Sequence, residues 1–414
     1  MRYLITPDVR TINWNVDANG TWFTASNWTP QNVPGGYDRD ATIANVLTSG
    51  RVITINDHVT LRNLFLNYTG GAITILASAG KKIYFNSKTT CAITFTAGNS
   101  NTLSISADCV FMQSITLTKD TGILSMSGIF SGTISDFIKA GAGTLTLSGL
   151  NTFIATITIT AGTLGCGADT ALGDSSNAIV FNGGTLNFTS GITSARNMSV
   201  VATSSKLSSS GNCVFSGTIS GSIALNCTAN GSSTLEYSGS ITLSGTLSFT
   251  SGTHKISGTH SGTGNIAPSI NNPVFIITGS ITSSTGTITG LSIKGNGSVA
   301  KATTLPSTGT IEASDGVSTP GTFTFTNTLI LGASGFVTVR TSGSTVSKIA
   351  VTGNVTIRGT ANFPDASLNT GTYDIITYTG TGTVTALTLG TNSTGRTITF
   401  FHDTVNKKYQ IIVV

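Results

Sequence analysis

Short runs of alternating apolar and hydroxyl residues recur along the chain, each entered through glycine. Gly143-Thr-Leu-Thr-Leu147, Gly162-Thr-Leu164, Gly184-Thr-Leu-Asn-Phe188 and Gly245-Thr-Leu-Ser-Phe249 are drifting copies of one phrase. The first three copies start 19 and 22 residues apart. Alternation with period two predicts a strand with one buried face, and a repeat of roughly 20 residues is the mark of a solenoid. Further strands are predicted at Arg51–Ile55, Leu61–Leu66, Ala72–Leu76, Lys82–Phe85, Ala92–Thr96, Thr102–Ile105, Ser114–Leu117, Thr156–Ile159, Ala178–Phe181 and Pro273–Ile277. Stronger ones follow at Thr322–Phe325, Phe336–Val339, Val355–Ile357, Tyr373–Tyr378, Thr397–Phe401 and Tyr409–Val414. Proline breaks fall at Pro268/Pro273, Pro306 and Pro320.

One such strand cannot bury its apolar side alone, but stacked coils set leucine on leucine inside and threonine on threonine outside. The expectation is an all-β chain forming a parallel β-helix with capped ends. At roughly 20 residues per coil and about 4.8 Å between parallel strands, it would make about 15–20 coils and a rod on the order of 70–95 Å long. Glycine and asparagine would serve corners that need positive φ. Open strand edges at both ends invite aggregation, so residues 1–50 and about the last 40 are expected to be caps. Residues 51–300 would hold the repeats and 301–414 a C-terminal solenoid segment with its cap. A β-sandwich also uses short strands and turns, but it leaves the spaced Gly-Thr-Leu phrase unexplained.

Composition sharpens this picture. Only 9% of the 414 residues are charged and 38% are hydrophobic, with a mean hydropathy of +0.24. Low charge with that apolar content argues for order rather than disorder. The net charge of +5 is spread thin, with nothing more clustered than Lys81-Lys82 and Lys407-Lys408, so a nucleic-acid footprint is missing. No apolar run reaches the roughly 18 residues needed to cross a membrane, and Met1–Asp8 lacks the apolar core of a secretory leader. Cys91, Cys109, Cys166, Cys213 and Cys227 are odd in number, lack metal-ligand spacing, and read as buried small residues of a chain folded under reducing conditions.

Gly141-Ala-Gly-Thr-Leu-Thr-Leu-Ser-Gly-Leu-Asn-Thr-Phe153, Ile157-Thr-Ile-Thr-Ala-Gly-Thr-Leu164 and Asp169-Thr-Ala-Leu-Gly173 together resemble the passenger repeat of bacterial autotransporters. Trp22 to Asp40 resembles the opening of such regions, and Val346–Ile357 with Gly371–Ile376 the segment that closes them. The resemblance implies a right-handed parallel β-helix displayed outside a cell and often adhesive. It carries no catalytic residues. Comparable rods serve bacteriophages as tail fibres, spikes and capsid decorations that fold in the host cytoplasm and trimerise. A chain with unpaired cysteines, without a leader and without an export barrel is expected to follow that second life, at the virion surface. The alternatives are an adhesin passenger on a bacterial surface and a polysaccharide depolymerase.

Chemistry is sparse. The two glutamates are Glu236 and Glu312, and between Asp174 and Glu312 the only carboxylate is Glu236. One carboxylate cannot serve as both acid and base for glycoside cleavage. Asp38/Asp40 and Asp169/Asp174 read as turn caps; Asp108, Asp120 and Asp136 would be the place to look for a hydrolytic site. His58, His254, His260 and His402 read as exposed polar residues, and no metal or cofactor site is expected. The one set of side chains that looks chosen for contact is Trp14, Trp22, Trp28 and Tyr37 in the head, expected to touch partners such as virion or cell-surface proteins, with end-cap packing as the competing use. Further expected partners are two more copies of the chain and a host surface glycan, with neither nucleic acid nor membrane insertion.

Overall fold

The computed structural model describes residues 11–44, 47–68, 70–95, 102–268, 273–290, 292–385 and 387–414. Met1–Asp8, read above for a leader, lies outside the described residues, as does Thr96 at the end of one predicted strand. About half of the described residues are in strands, and they form a parallel β-solenoid of about 14 turns. Helical geometry among them is limited to two short 3-10 turns, Ala25–Asn27 and Asp169–Leu172. Among the described residues no helix is long and apolar enough to cross a membrane. Two compact units divide the chain: residues 1–192 with 196–199, and residues 193–195 with 200–414.

In the first unit the repeated phrase is explained by register. On one face Leu103, Leu124, Leu145, Leu164 and Leu186 are successive partners in parallel strands, all fully buried. Between them Ser104, Ser125, Thr146, Gly165 and Asn187 form the outward column. Each leucine that leaves water contributes roughly 2 kcal/mol. A second face stacks Cys91, Ile115, Phe137, Ile157 and Ile179, and a third is a four-stranded sheet over Val59–Leu61, Lys82–Phe85, Asp108–Phe111 and Phe130–Ser131.

The corner of the first unit that carries the Asn-Thr-Phe and Ala-Leu-Gly turns is a polar network. Asn151 accepts from the Phe130 amide at 2.8 Å and donates to the Ala171 carbonyl at 2.6 Å, linking three successive coils. Asn177 donates to the carbonyls of Phe153 and Leu172 and accepts from the Ala155 amide. Arg196 is buried and donates to Asp169 Oδ1 at 3.0 Å and to the carbonyls of Asp169, Gly173 and Asp174. These side chains satisfy backbone groups that a tight corner leaves without ladder partners.

In the second unit the third face is a ten-stranded parallel sheet. Its exit corner is a column of glycines, Gly217, Gly239, Gly258, Gly279 and Gly297. A Cβ placed on any of the last four would collide with the carbonyl oxygen of the glycine one coil earlier. Both Ser257 N and Gly258 N donate to the Tyr237 carbonyl, at 3.1 and 3.0 Å, and Thr278 N and Gly279 N repeat this on Ile256 at 3.0 Å. The glycine requirement here is close approach, not the positive φ expected of corners; Gly162, at φ +61°, is a case where both apply.

Both ends carry caps. At the N-terminal end Thr11–Trp14 pairs in parallel with Asp40–Ala44 and antiparallel with Trp28–Thr29. At the C-terminal end Lys408–Val413 runs antiparallel to Gly371–Tyr378, and Ile398–Asp403 continues the meander. The buried Tyr409 hydroxyl accepts from the Leu387 amide at 2.7 Å, tying this cap to the last coil.

Gly258→Ala is expected to lower unfolding free energy by about 3 kcal/mol or more, because a methyl group must displace backbone of the neighbouring coil. Gly395→Ala, at φ +68° with open space around it, should lose only the roughly 1–2 kcal/mol of left-handed strain. Denaturant titration of the two variants checks the contrast.

Candidate functional site

The outward column of the second unit's third face reads Glu236, Lys255, Ile276, Lys294, Glu312, Thr338, Asn362 in successive coils. Opposite charges on adjacent strands pair: Glu236 with Lys255 at 3.2 Å and Lys294 with Glu312 at 3.5 Å. From Glu312 onward this face is no longer flat, because three successive coils carry excursions at 314–320, 341–346 and 364–369. Pro320, Asp315-Gly316, Ser342-Gly343 and Pro364 mark them in the sequence.

Arg340 joins the excursions. Its Nε donates to Glu312 Oε1 at 2.9 Å and its Nη1 to Asp365 Oδ1 at 3.2 Å, while the other Asp365 oxygen accepts the Thr341 amide. Burial works against the Arg340 charge, but its hydrogen bonds and attraction to Glu312 and Asp365 outweigh that and raise its pKa above the ordinary arginine value. Gly343 N donates to Ser367 Oγ, and Asn369 Nδ2 to Ser344 Oγ, at 3.0 and 2.9 Å. The 314–320 excursion is held by Asp315 Oδ1, which accepts from the amides of Val317, Ser318 and Thr319. It reaches back over Ile276: a Cβ on Gly316 would sit 2.8 Å from Ile276 Cγ2.

Beside this wall lies an open groove of about 660 Å³. Its floor is Ser292, Lys294, Thr310, Thr338 and Asn362, with Val274 at one end and Thr391 at the other. It crosses the strands from Val274–Ile277 to Thr388–Asn392, five inter-strand steps of about 4.8 Å, or roughly 24 Å. Sequence reasoning did not find this site. Its signals were Glu312, one of only two glutamates, set between the breaks at Pro306 and Pro320.

The head residues proposed for contact are placed differently from one another. Trp14, Trp22 and Trp28 are brought together and fully buried, with Trp28 edge-on to the other two at 5.0 and 4.7 Å. Their indole N–H groups donate inward, to the carbonyls of Val16, Pro34 and Trp22 respectively. Tyr37 stands apart and is half exposed, at 51%.

The aspartates named for a hydrolytic site are not gathered. Asp108 accepts from the Ile129 amide at the start of the third face, Asp136 meets Ser114 on the second face, and Asp120 lies at a corner beside Gly141. Asp174 caps its turn through Ser176, but Asp38 and Asp40 serve Arg62 rather than turns, and Asp169 serves Arg196. Among the described residues no group of three or more His, Cys, Asp or Glu side chains is placed to hold a metal. All five cysteines are buried free thiols.

Two histidines expected at the surface are interior. His254 takes the place of an apolar residue between Leu235 and Phe275 and stacks on Phe249 at 4.2 Å. His260 stands between Ile241 and Ile281. Period-two alternation had the information, since each falls on the inward phase of its strand. Burial lowers the pKa of both to about 4.

By fold the protein belongs to the parallel β-solenoid class. No protein-family model, curated protein or solved structure matches the chain.

Removing Arg340 leaves Glu312 in a buried position with Lys294 alone. Arg340→Met is expected to destabilise by about 3 kcal/mol, and adding Glu312→Gln should restore part of that loss. A double-mutant cycle by denaturant titration measures it. His254 and His260 stay neutral in the folded chain but take up protons when unfolded below pH 6.5. Stability should therefore fall as pH drops from 6.5 toward 4, by up to roughly 3 kcal/mol per histidine. His254→Phe should flatten that fall, read as melting temperature against pH.

Proposed function

We propose that this protein is a non-enzymatic structural or adhesive surface component, most specifically a homotrimeric part of a bacteriophage particle: a fibre, spike or capsid decoration. A parallel β-solenoid with capped ends fits a structural or adhesive role, because neighbouring coils hold one another and the outside is free to vary. The observation that carries the particle reading over an exported passenger is the thiol set. Five cysteines are all buried and all unpaired, which suits a chain folded in a reducing cytoplasm and sealed before it meets oxidant. Burial pushes the Cys227 thiol up to about 12 and raises those of Cys91 and Cys109, which keeps these three sulfurs inert once folded. Against the depolymerase reading, the carboxylate that lines the groove, Glu312, is engaged by both Arg340 and Lys294.

Gold-labelled antibody against the protein should decorate purified phage particles, at sites of threefold copy number by light scattering of the released protein. Labelling of bacterial cell surfaces without particles would overturn the assignment. Shortened chains after incubation with host polysaccharide would overturn its non-enzymatic part. A thiol reagent should read no reactive groups on the native protein and five after denaturation without reductant.

A further inference from the structure

We propose that the groove on the second unit's third face binds an extended, uncharged oligosaccharide lying across the strands. This rests on the adhesive reading and names its ligand class and its site.

The lining is hydroxyl-rich and its hydrogen-bonding capacity is unused. Among the described residues, the side-chain hydroxyls of Ser292, Thr308, Thr310 and Thr338 make no hydrogen bond within the chain. Asn362 Oδ1 is taken by the Thr391 amide at 2.9 Å, which leaves the two Nδ2 donors for an occupant. Such a row of donors and acceptors, repeated at each strand, matches a polymer that offers hydroxyls at every unit.

Charge excludes the acidic relatives of that polymer. The cations at the groove are Lys294 and Arg340, and each is paired, to Glu312 and to Glu312 with Asp365. A uronate, sulfate or phosphate chain would bring charge to a site whose cations are already matched, and would meet the Glu312 carboxylate in the lining as it did so.

An apolar platform completes the match. Phe336 points outward on the same face, as the strand partner of Thr310 and Thr360, and is 38% exposed. It lies one alternation from Thr338, so a sugar ring stacked on Phe336 keeps its hydroxyls over the threonines. A peptide strand is disfavoured: Ser292–Gly295, Thr310–Ala313 and Phe336–Thr338 are paired on both edges, so no backbone edge is open for strand addition.

The test is an array of oligosaccharides at least four units long, neutral hexose and N-acetylhexosamine chains beside their uronic, sulfated and sialylated counterparts, probed with the full chain. Retention of one or more neutral chains is expected, weakened at least tenfold by Phe336→Ala and by Thr310→Val with Thr338→Val. Phe401→Ala, an exposed aromatic in the C-terminal cap, should leave binding unchanged, and melting curves should show all variants folded. No neutral retention, equal retention of acidic chains, or Phe336→Ala binding as the parent does would each overturn the proposal. Array binding does not depend on where the protein resides. Binding without particle labelling would sink the virion reading alone, and labelling without binding would sink this one alone.

Discussion

Everything in this fold follows from the distance at which one coil lies on the next. Parallel ladders fix it near 4.8 Å, and at a corner the chain must turn within that spacing while its carbonyls still point along the stack. The carbonyl oxygen of Gly239 then fills the volume where residue 258 would carry a side chain, and that of Gly258 fills the volume at residue 279. From Gly217 to Gly297 each coil therefore carries glycine at this corner. The column propagates, and with it the register that sets Ile219, Ile241, His260 and Ile281 one above another on the adjoining face. Corner geometry and core stacking are two expressions of one constraint.

The same constraint explains how the interior tolerates polar groups. Lys139 stands in an apolar column between Leu117 and Ile159, fully buried. Its ammonium donates to the carbonyls of Ala140, Gly141 and Ala161 at 2.8, 2.7 and 3.1 Å. Burial lowers its pKa to about 8, yet the amine gains carbonyls that the corner would otherwise leave bare. Lys119 instead sits 3.3 Å over the Phe95 ring, one coil away. Asn151, Asn177 and Arg196 do comparable work at another corner. Lys139, Asn151, Asn177 and Arg196 enter this core at corners, and each answers specific backbone groups there.

The strands were legible because their pattern is local. Arg51–Ile55, Lys82–Phe85, Thr322–Phe325 and Val355–Ile357 end where alternation says they should. The Gly-Thr-Leu copies stack because their spacing matches one coil. A second repeat was present and went unread: Ser/Thr-Gly-Ser/Thr-Ile around Gly217, Gly239 and Gly279, spaced by 19 to 22 residues per coil when Gly258 is counted. It has too few apolar positions to register as a strand, and its meaning lies in contact with the previous coil. The Trp-rich head looked like a contact surface because large aromatics also mark interfaces; its three indoles are buried with their donors on backbone carbonyls, and Tyr37 is the exposed member of the set. The groove was hidden for a different reason. Glu312, Arg340 and Asp365 are 25 to 53 residues apart, and only the stacking of three coils brings the guanidinium between two carboxylates.

A solenoid face is flat by default, since identical coils repeat identical surfaces. Concavity needs coils that break the repeat, and here the breaks are consecutive: 341–346 and 364–369 bond to one another through Arg340, Asp365, Ser367 and Asn369, and 314–320, closed on its own Asp315, lies beside them. Two that interlock, with a third closed on itself alongside, make a wall. The cost of burying Glu312 is offset only because Arg340 and Lys294 meet it from two coils. The ion network is therefore the structural element of the site, and the uncharged hydroxyls it leaves facing solvent are the part free to recognise something. Under the proposed binding role charge builds the groove and hydroxyls make the contact, whereas a hydrolytic cleft must keep its carboxylates available to the substrate.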